Sequence, residues 1–376
     1  MIKAISLQNF KCFKNQTSFD LKDINIFTGY NGRGKSTALQ AILLLAQSIR
    51  HFDSLSWLVT KGCYLNLDLF EDLLTKGIEG EKILSIDLAS ELPGYERIGL
   101  RYQEKGEQIG SLIDFLINEE SRFDNSKMFG VNLDKDTMSN YFYPEDINDL
   151  FANVVFVSAD RRGPSLFEQK ELLDKENPCG VEGEHTLNVI SRDEELNAQI
   201  NELTSFIMDG GKIDIKGKDK DSAVLSLRYS TIDGQHQIKS VNHGFGYSYV
   251  LPILAAALRC KDGMLIIENP EAHLHPAAQS RLTQALVKIC KNNNTQLFLE
   301  THSEHILNAV RLCTLKPEFG ISHDDVSIYF FDKDFTVIPL KLDADGQIDP
   351  WPEGFFDQQE NDLAEILQLG LFNPNK

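Results

Sequence analysis

Short apolar runs recur along the chain and are separated by turn residues or by stretches with helical spacing. The runs are INIF (24–27), VVFV (154–157), MLIIE (264–268), QLFLET (296–301) and VSIYFF (326–331). Continuous apolar runs of roughly four to eight residues are typical of strands that are buried on both faces. Because a helical pattern separates the third run from the fourth, the sequence predicts an α/β fold with a largely parallel sheet.

The same patterns predict further elements and a domain organisation. The opening MIKAISLQNFKCFKN alternates apolar and polar residues as a strand does, and residues 194–207 place apolar side chains at helical spacing. A hairpin is expected over 213–240, and residues 241–258 are expected to form a glycine-punctuated loop that leads into a helix. We divide the chain into an N-terminal part of the core (1–50), an inserted lobe (51–150), a C-terminal part of the core (151–345) and a small tail (346–376).

The stretch GYNGRGKST (29–37) places three glycines, an arginine and a lysine between two apolar runs. Its spacing matches G-x-x-x-x-G-K-[ST], the loop whose backbone N–H groups surround the phosphates of a nucleotide. In this motif the lysine reaches the β- and γ-phosphates, the serine hydroxyl binds Mg²⁺, and the next helix directs its positive N-terminal end at the anion. The residues expected to hold the nucleotide are Gly29, Asn31, Gly32, Arg33, Gly34, Lys35, Ser36 and Thr37.

Composition narrows the class of protein. The 376 residues are 42% hydrophobic and 25% charged, as in an ordinary globular chain with a large core. No apolar run of about 18 residues occurs and the start does not read as a signal peptide, so we expect a soluble cytoplasmic protein without a membrane span. Six cysteines without a C-x-x-C pair predict free thiols. A net charge of −19 disfavours nucleic-acid binding by the surface as a whole.

A second set of polar residues follows two of the apolar runs. A phosphate-loop enzyme needs an acidic side chain at the end of a neighbouring strand for the Mg²⁺ shell, and Glu268 ends MLIIE. His302 follows QLFLET, at the carboxyl end of a strand, where ligands of such sheets bind. We therefore expect Ser36 and Glu268 to hold the metal and His302 to sense the γ-phosphate. His273 and His275 are expected to order their loop, since a third metal ligand is not visible.

Several further segments carry a resemblance to a known family. They are the opening segment, the phosphate loop, HGFGYS (243–248), IIENPEAHLHP (266–276) and ETHSEHIL (300–307). Together they resemble the ATPase heads of the ABC class, within it the OLD-, RecF- and SMC-like group. WPEGFFDQ (351–358) is similar to a subgroup of bacterial AAA-annotated ATPases that often occurs in anti-phage defence operons. The resemblance implies a P-loop ATPase with a mixed sheet, a β-rich N-terminal lobe and an inserted lobe, which uses ATP and Mg²⁺.

By this resemblance, residues 243–248 stand where the ABC signature loop stands. In that family the loop closes over the γ-phosphate held by the opposite subunit, so ATP lies between the two copies of a two-fold dimer. The residues implied are Gly244, Phe245, Gly246 and Ser248. The two glycines leave backbone amides free to face an anion. Because the loop departs from L-S-G-G-Q, either Asn242 or Ser248 takes the place of its serine.

One departure from the family bears on the reaction. In most of these ATPases a glutamate that polarises the attacking water follows the acid of the Mg²⁺ shell, whereas Asn269 stands there in this chain. An amide does not accept a proton from water at neutral pH, and loss of a general base typically costs about 10²–10⁴-fold in rate. Glu271 serves as the general base instead if the turn after Glu268 bends its side chain toward the nucleotide site. We therefore expect slow ATP hydrolysis, with Asn269, Glu271 and His302 as the catalytic candidates.

The sequence leaves three functions open. In the first, the protein is the ATP-dependent sensor or scaffold of an anti-phage defence complex, whose separate effector, such as a nuclease, acts in trans. In the second it is a RecF-like repair factor that clamps DNA itself, and in the third a stand-alone ATP-binding regulator. We expect a homodimer or larger homo-oligomer that meets nucleic acid through the complex and does not bind membranes.

Two surface features remain open to two interpretations each. The tail residues Trp351, Phe355 and Phe356 either dock a partner or cap the core. Arg161 and Arg162, in the segment that follows VVFV, either link the nucleotide to the inserted lobe or pair with surrounding acids.

Overall fold

The apolar runs and the helical patterns between them fold as an α/β structure. The computed structural model describes residues 1–77, 80–121, 144–165, 167–170, 177–210, 212–217, 224–230, 237–239 and 245–371. Parts of the predicted hairpin over 213–240 and of the loop that begins at 241 lie outside the described residues. All five apolar runs form strands, and the helix predicted over 194–207 is present with those bounds.

The described residues form the following elements. The strands are β1 (Ile2–Gln8), β2 (Thr17–Asp20), β3 (Ile24–Gly29), β4 (Trp57–Val59), β5 (Ile83–Ser90), β6 (Arg97–Gly106), β7 (Ile109–Ile117), β8 (Glu120–Ser121), β9 (Val154–Val157), β10 (Glu168–Gln169), β11 (Lys212–Lys216), β12 (Val224–Ser230), β13 (Gln237–Lys239), β14 (Met264–Glu268), β15 (Gln296–Glu300), β16 (Val326–Phe331), β17 (Val337–Leu342) and β18 (Ile348–Asp349). The helices are α1 (Lys35–Phe52), α2 (Thr186–Ser191), α3 (Glu194–Ile207), α4 (Phe245–Arg259), α5 (Pro276–Asn292), α6 (Glu304–Leu315) and α7 (Gln358–Leu371). None of the helices in the described part of the chain combines the length and the hydropathy that a bilayer-spanning segment needs.

A mixed sheet forms the centre of the molecule. Its strand order is β18-β17-β16-β3-β15-β14-β9. The strands from β16 to β9 run parallel, and β17 and β18 add antiparallel strands at one edge. The carboxyl ends of β3, β15, β14 and β9 therefore meet along one edge of the sheet, which is where ligands of open α/β sheets bind.

Side chains of the central strands alternate between two hydrophobic cores. In β14, Leu265 and Ile267 pack into one core, and Met264 and Ile266 pack into the other. The first core also contains side chains of α3 to α6, and the second contains those of α1 and of a second sheet. Because neighbouring side chains of a strand point to opposite faces, each central strand is buried on both sides, which explains its continuous apolar sequence.

An antiparallel sheet covers the other side of α1. Its order is β2-β1-β5-β6-β7-β4, with β8 paired to β7. Since β1 pairs with β5, for example Ile5 with Leu88, the boundary predicted after residue 50 falls inside one continuous sheet. Two strands alone would leave an apolar face and an open edge, and β5 to β7 complete the sheet. The boundary predicted after residue 345 likewise separates β17 from β18, which pair with each other.

The C-terminal segment packs against the central sheet and reaches the glycine-rich loop. Phe355 is buried, and its ring centroid lies 5.5 Å from that of Phe330 and 4.6 Å from that of Trp351. A Cβ at Gly354 would clash with the hydroxyl of Tyr30, so the tail touches the loop between β3 and α1. Of the predicted docking residues, Phe355 therefore caps the core, whereas Trp351 is exposed.

Gly29 and Gly32 form a matched pair for testing how the loop is packed. Their φ angles are positive, at 124° and 69°. A Cβ at Gly29 would lie 2.6 Å from the backbone nitrogen of Phe331 and closer still to its carbonyl oxygen, whereas a Cβ at Gly32 would have no described atom within 4 Å.

We expect Gly29→Ala to lower the free energy of unfolding by about 2–4 kcal/mol, because the backbone of β16 must move, and Gly32→Ala by about 1 kcal/mol from left-handed strain alone. Urea denaturation of the two variants without nucleotide measures the difference. Equal losses would contradict the packing argument.

Candidate functional site

The glycine-rich loop is tied to β16 and opens onto the start of α1. The N–H of Tyr30 donates to the carbonyl of Phe331 at 2.9 Å. Gly34, with φ of 109°, is the N-cap residue of α1, and no side-chain hydrogen bond caps this end of the helix in the described structure. The N–H groups of the first turn are therefore left for an anion. The loop thus has the form that the motif predicts.

The opening segment supports the loop from the other side. A Cβ at Gly34 would lie 2.7 Å from Sγ of Cys12, so the opening segment packs directly against this glycine. Lys11 Nζ donates to Gln40 Oε1 of α1 at 2.5 Å. The sequence pattern predicted the strand that begins this segment but not these contacts with the phosphate loop.

The charged residues of the loop differ in exposure. Asn31 is exposed, and the guanidinium of Arg33 lies 4.5 Å from the ring centroid of Phe335. Lys35 is buried, and its Nζ donates to the carbonyl oxygens of Gly29 at 3.1 Å and Tyr30 at 2.7 Å. Burial lowers the pKa of the Lys35 ammonium group. The ammonium group thus lies within the loop that the motif assigns to phosphates.

Glu300 is the acidic side chain that contacts the phosphate loop. Ser36 Oγ donates to Glu300 Oε1 at 2.9 Å, and Glu300 is only 7% exposed. No described atom hydrogen-bonds its other oxygen, Oε2. Motif spacing did not point to Glu300, although this residue ends an apolar strand just as Glu268 does and precedes His302 by two positions.

Glu268 lies one strand farther from the loop than predicted. Because β15 lies between β3 and β14, Glu268 ends the second strand from β3 and not the neighbouring one, where it pairs with Glu300 of β15. Its role in metal binding stays a prediction. Glu268 Oε2 accepts a hydrogen bond from the N–H of Ala159 at 3.1 Å and one from Ser158 Oγ at 3.5 Å. Burial raises the pKa of its carboxyl. Its described contacts are thus with the segment that follows β9.

Arg161 ties the segment after β9 to the turn after β14. The side chain is 4% exposed, and its Nη1 donates to the carbonyls of Ser158 at 2.9 Å and Glu268 at 2.8 Å. Its Nη2 donates to the carbonyl of Asn269 at 2.6 Å. Arg162 instead forms an exposed ion pair with Glu182. Arg161 therefore orders the site, and Arg162 pairs with an acid, as the second interpretation of these residues expected.

Asn269 sits at the bend between the strand ends. Its φ is 44°, and its N–H donates to the carbonyl of Glu300 at 2.8 Å. Its Oδ1 has no hydrogen-bond partner in the described part of the chain. The predicted catalytic position is thus joined by its backbone to β15.

Glu271 connects the turn after β14 to the turn after β15. Its Oε2 accepts a hydrogen bond from Thr301 Oγ1 at 2.8 Å, and its Oε1 accepts one from the N–H of His302 at 2.7 Å. Partial burial and the charge of Lys35 lower the pKa of His302. Glu271 therefore positions the segment that carries His302, and the roles of these residues in hydrolysis stay predictions.

His273 and His275 order the turn before α5, as predicted. The ring of His273 contacts that of Tyr249 at a centroid distance of 4.6 Å. His275 Nδ1 accepts a hydrogen bond from the N–H of Ala277 at 3.3 Å, at the first turn of the helix. Over the described ranges, no group of three or more histidine, cysteine, aspartate or glutamate side chains is arranged to hold a metal ion.

The signature-like loop is described from its helical end onward. Gly244 and Asn242 lie outside the described residues, and α4 begins at Phe245. A Cβ at Gly246 would lie 3.0 Å from Cε of Met208, so the start of α4 packs closely on its neighbours. Ser248 lines a cavity of about 330 Å³ that also borders Arg162. Closure of this loop over a second subunit stays a prediction.

The side chains around Ser36 fit a Mg²⁺ ion that binds together with a nucleotide. Mg²⁺ prefers near-octahedral oxygen ligands, usually one or two carboxylates, phosphate oxygens and several waters. The Ser36 hydroxyl, the Glu300 carboxylate with its unpartnered oxygen, and the more distant Glu268 supply oxygens of this kind. The remaining ligands would come from phosphate and water.

Comparison with family models matches nearly the whole chain. The model described as "AAA domain, putative AbiEii toxin, Type IV TA system" matches residues 24–308. A second model, described as a protein of unknown function, matches residues 321–366, which include β16 to β18 and the start of α7. The first match contains every residue that the sequence analysis selected for nucleotide or metal binding.

Three relatives differ in how much of each protein is aligned. An ATP/GTP phosphatase of Helicobacter pylori is 21% identical over 400 residues, which covers 96% of this chain and 99% of that protein. Endonuclease GajA of Bacillus cereus is 28% identical over 102 residues, 22% of this chain and 15% of the endonuclease. An uncharacterised protein of Methanocaldococcus jannaschii is 37% identical over 68 residues, 18% of this chain and 58% of that protein. The chain thus spans less than two thirds of the last two.

Two solved SMC heads share the fold. An SMC head bound to the C-winged helix domain of ScpA has a TM-score of 0.53 and 14% identity, and the match covers 91% of this chain and 98% of that one. An SMC head with an extended coiled coil from Pyrococcus furiosus has a TM-score of 0.53 and 12% identity, over 97% and 99%. The predicted fold class, an α/β P-loop ATPase of head type, is confirmed.

Glu300 gives the nucleotide-free protein a stability that depends on pH. Burial raises the pKa of its carboxyl from 4.5 to about 7, the hydrogen bond from Ser36 opposes this shift, and the charge of Glu268 adds to it. The folded state therefore binds the proton more tightly than the unfolded state, so the contribution of this group to stability falls as the pH rises through that range.

We expect Glu300→Gln to raise the free energy of unfolding by up to about 3 kcal/mol at pH 8, where the wild-type carboxyl is ionised, and by less than about 1 kcal/mol at pH 5. Urea denaturation in EDTA without nucleotide measures both values. The exposed Glu318→Gln serves as the control and should show no such difference. An equal gain at both pH values would contradict ionisation of Glu300 as the cause.

Proposed function

Because the chain belongs to the AAA-domain family described as putative AbiEii toxin of type IV toxin–antitoxin systems, we propose that it binds ATP with Mg²⁺ and hydrolyses the nucleotide slowly. The observation that carries the proposal is the convergence of the glycine-rich loop, Lys35, Ser36 and the strand-end carboxylates at one edge of the parallel sheet. Backbone N–H groups at a helix start and a lysine bind phosphates. Full-length similarity to an ATP/GTP phosphatase supports this reaction.

Bound ATP, in this proposal, holds two copies of the chain together. The support is the position of the signature-like segment, which leads into α4 just as the signature loop leads into a helix in the ABC heads that the sequence resembles. The amides at the start of α4 would face the γ-phosphate held by the other copy. Each nucleotide site would then need both copies, as in an isologous dimer.

Hydrolysis is slow in this proposal because the general base is missing. Asn269 stands after Glu268, and both oxygens of the nearby Glu271 already accept hydrogen bonds from the segment of His302. The unpartnered Oδ1 of Asn269 accepts a hydrogen bond from a water molecule but cannot take its proton. Slow hydrolysis keeps ATP bound for longer, as is needed in a protein whose subunits are held together by the nucleotide.

The assembly, in this proposal, is the sensor or scaffold of an anti-phage defence complex with a separate effector. The family description as a putative toxin of a type IV system supports it, as does the local similarity to an endonuclease. Because that similarity covers 15% of the endonuclease, the nuclease activity is assigned to a partner that acts in trans. Salt-sensitive, ATP-dependent DNA binding by the chain alone would favour the RecF-like function, which the net charge of −19 does not support.

Lys35→Ala tests nucleotide binding and its link to assembly. We expect it to weaken binding of a non-hydrolysable ATP analogue by about 10- to 100-fold, since charged hydrogen bonds to the phosphates are lost. Wild-type protein should shift from monomer to dimer with the analogue in light scattering after gel filtration, and the variant should not. The control is Lys61→Ala, which removes an exposed lysine paired with Asp68. A nucleotide-independent dimer would contradict the proposed coupling.

Asn269→Glu tests whether the missing carboxylate limits hydrolysis. We expect wild-type turnover of about 10⁻³–10⁻¹ per second, from a typical enzyme rate lowered by loss of the base. The glutamate should raise it at least about 10-fold, and Asn269→Gln, of equal length but without an acid, should not. Steady-state phosphate release measures all three. Fast wild-type turnover that survives Glu271→Gln would show that the water is activated elsewhere.

A further inference from the structure

We propose that the C-terminal unit of the chain, residues 321–366, positions the phosphate loop for its ligand, and that Gly354 does so through Tyr30. This unit is the part of the chain that matches the family model of unknown function. The inference rests on the proposed binding of ATP. It gives the C-terminal unit a role in nucleotide binding in addition to capping the core.

The turn before α7 places the backbone of Gly354 against the side chain of Tyr30. Gly354 has a φ of 82°, and its N–H donates to Asp357 Oδ2 at 2.9 Å. The next residue, Phe355, is buried, and its ring packs on that of Phe330 at a centroid distance of 5.5 Å. The turn is therefore held by a hydrogen bond on one side and by the hydrophobic core on the other.

No side chain fits between this turn and the loop. A Cβ at Gly354 would lie 3.0 Å from Cζ of Tyr30 and closer still to its hydroxyl oxygen. The tyrosine ring also contacts Phe330 of β16, at a centroid distance of 6.0 Å. Because Phe330 is buried, the Tyr30 ring lies between a fixed aromatic side chain and the fixed backbone of the turn. The turn thus sets the place of the Tyr30 side chain.

The backbone of Tyr30 joins this contact to the ligand site. Its N–H donates to the carbonyl of Phe331 at 2.9 Å, and its carbonyl accepts a hydrogen bond from Lys35 Nζ at 2.7 Å. Lys35 Nζ also donates to the carbonyl of Gly29, the residue before Tyr30, at 3.1 Å. A displacement of Tyr30 therefore moves the ammonium group that the motif assigns to the β- and γ-phosphates.

A second contact from the same unit holds the other side of the loop. The guanidinium of Arg33 lies 4.5 Å from the ring centroid of Phe335, in the turn between β16 and β17. Tyr30 and Arg33 flank residues 31–32, which are exposed. The C-terminal unit thus contacts a side chain on either side of the exposed part of the loop, whereas capping the core would need only Phe355.

Gly354→Ala tests this positioning, and Gly346→Ala is its matched control. Gly346 lies in the turn between β17 and β18, has a φ of 74°, and a Cβ there would lie 3.0 Å from Leu315 of α6. Both substitutions therefore strain a left-handed residue beside a packed side chain. Gly354→Ala should weaken binding of a fluorescent non-hydrolysable ATP analogue by about 10-fold, and Gly346→Ala by less than about 2-fold. Affinities are measured at a temperature where circular dichroism shows every variant folded.

Tyr30→Phe shows whether the effect passes through Tyr30. It removes the oxygen atom that the new Cβ meets first. In that background, we expect Gly354→Ala to weaken binding by less than about 3-fold. A purely structural effect of the strained turn would be the same in both backgrounds. Gly354→Asn carries the same Cβ on a residue that tolerates positive φ better, and it should show the same loss if Gly354→Ala does not fold.

The outcomes separate the inference from the function on which it rests. If wild type binds no analogue, the proposed function and this inference both fail. If wild type binds the analogue and Gly354→Ala loses no more affinity than Gly346→Ala, only the inference fails. An equal loss with tyrosine and with phenylalanine at position 30 would overturn the route through Tyr30.

Discussion

The close packing of Gly29 against the backbone of Phe331 is the constraint on which the site depends. It lets the chain leave β3, turn beside β16 and begin α1 without a side chain in the way. The hydrogen bond from Tyr30 to the same carbonyl fixes the direction of the turn. Because α1 is buried between two sheets, the orientation of its first turn is set by the hydrophobic core that these sheets share with it. A phosphate bound there would meet donors that are already in position.

Strand ends, rather than a single motif, build the rest of the site. Arg161 and Glu271 each connect two of these ends, the first joining the turns after β9 and β14, the second those after β14 and β15. Four parallel strands thus share one polar layer above a continuous apolar core. Hydrogen bonds link the ends of β9, β14 and β15 to one another on that side of the sheet.

The tail belongs to the same physical unit. Phe355 packs on Phe330 of β16, and Gly354 approaches Tyr30 of the loop. The helix α7 follows this segment and exposes four large apolar side chains, Leu363, Ile366, Leu367 and Leu369. The segment around Gly354 therefore connects the phosphate loop to a helix with exposed apolar side chains.

Local patterns in the sequence determined the central strands, the phosphate loop and the helix at 194–207, because periodicity and motif spacing depend only on neighbouring residues. They also determined that Glu268 ends a strand and that His302 follows one. Tertiary structure decided which strands are adjacent, since β15 enters between β3 and β14 through a crossover that spacing does not record. Glu300 thereby reaches Ser36, and residues 51–150 complete a sheet begun by β1, because pairing between distant segments depends on the whole fold.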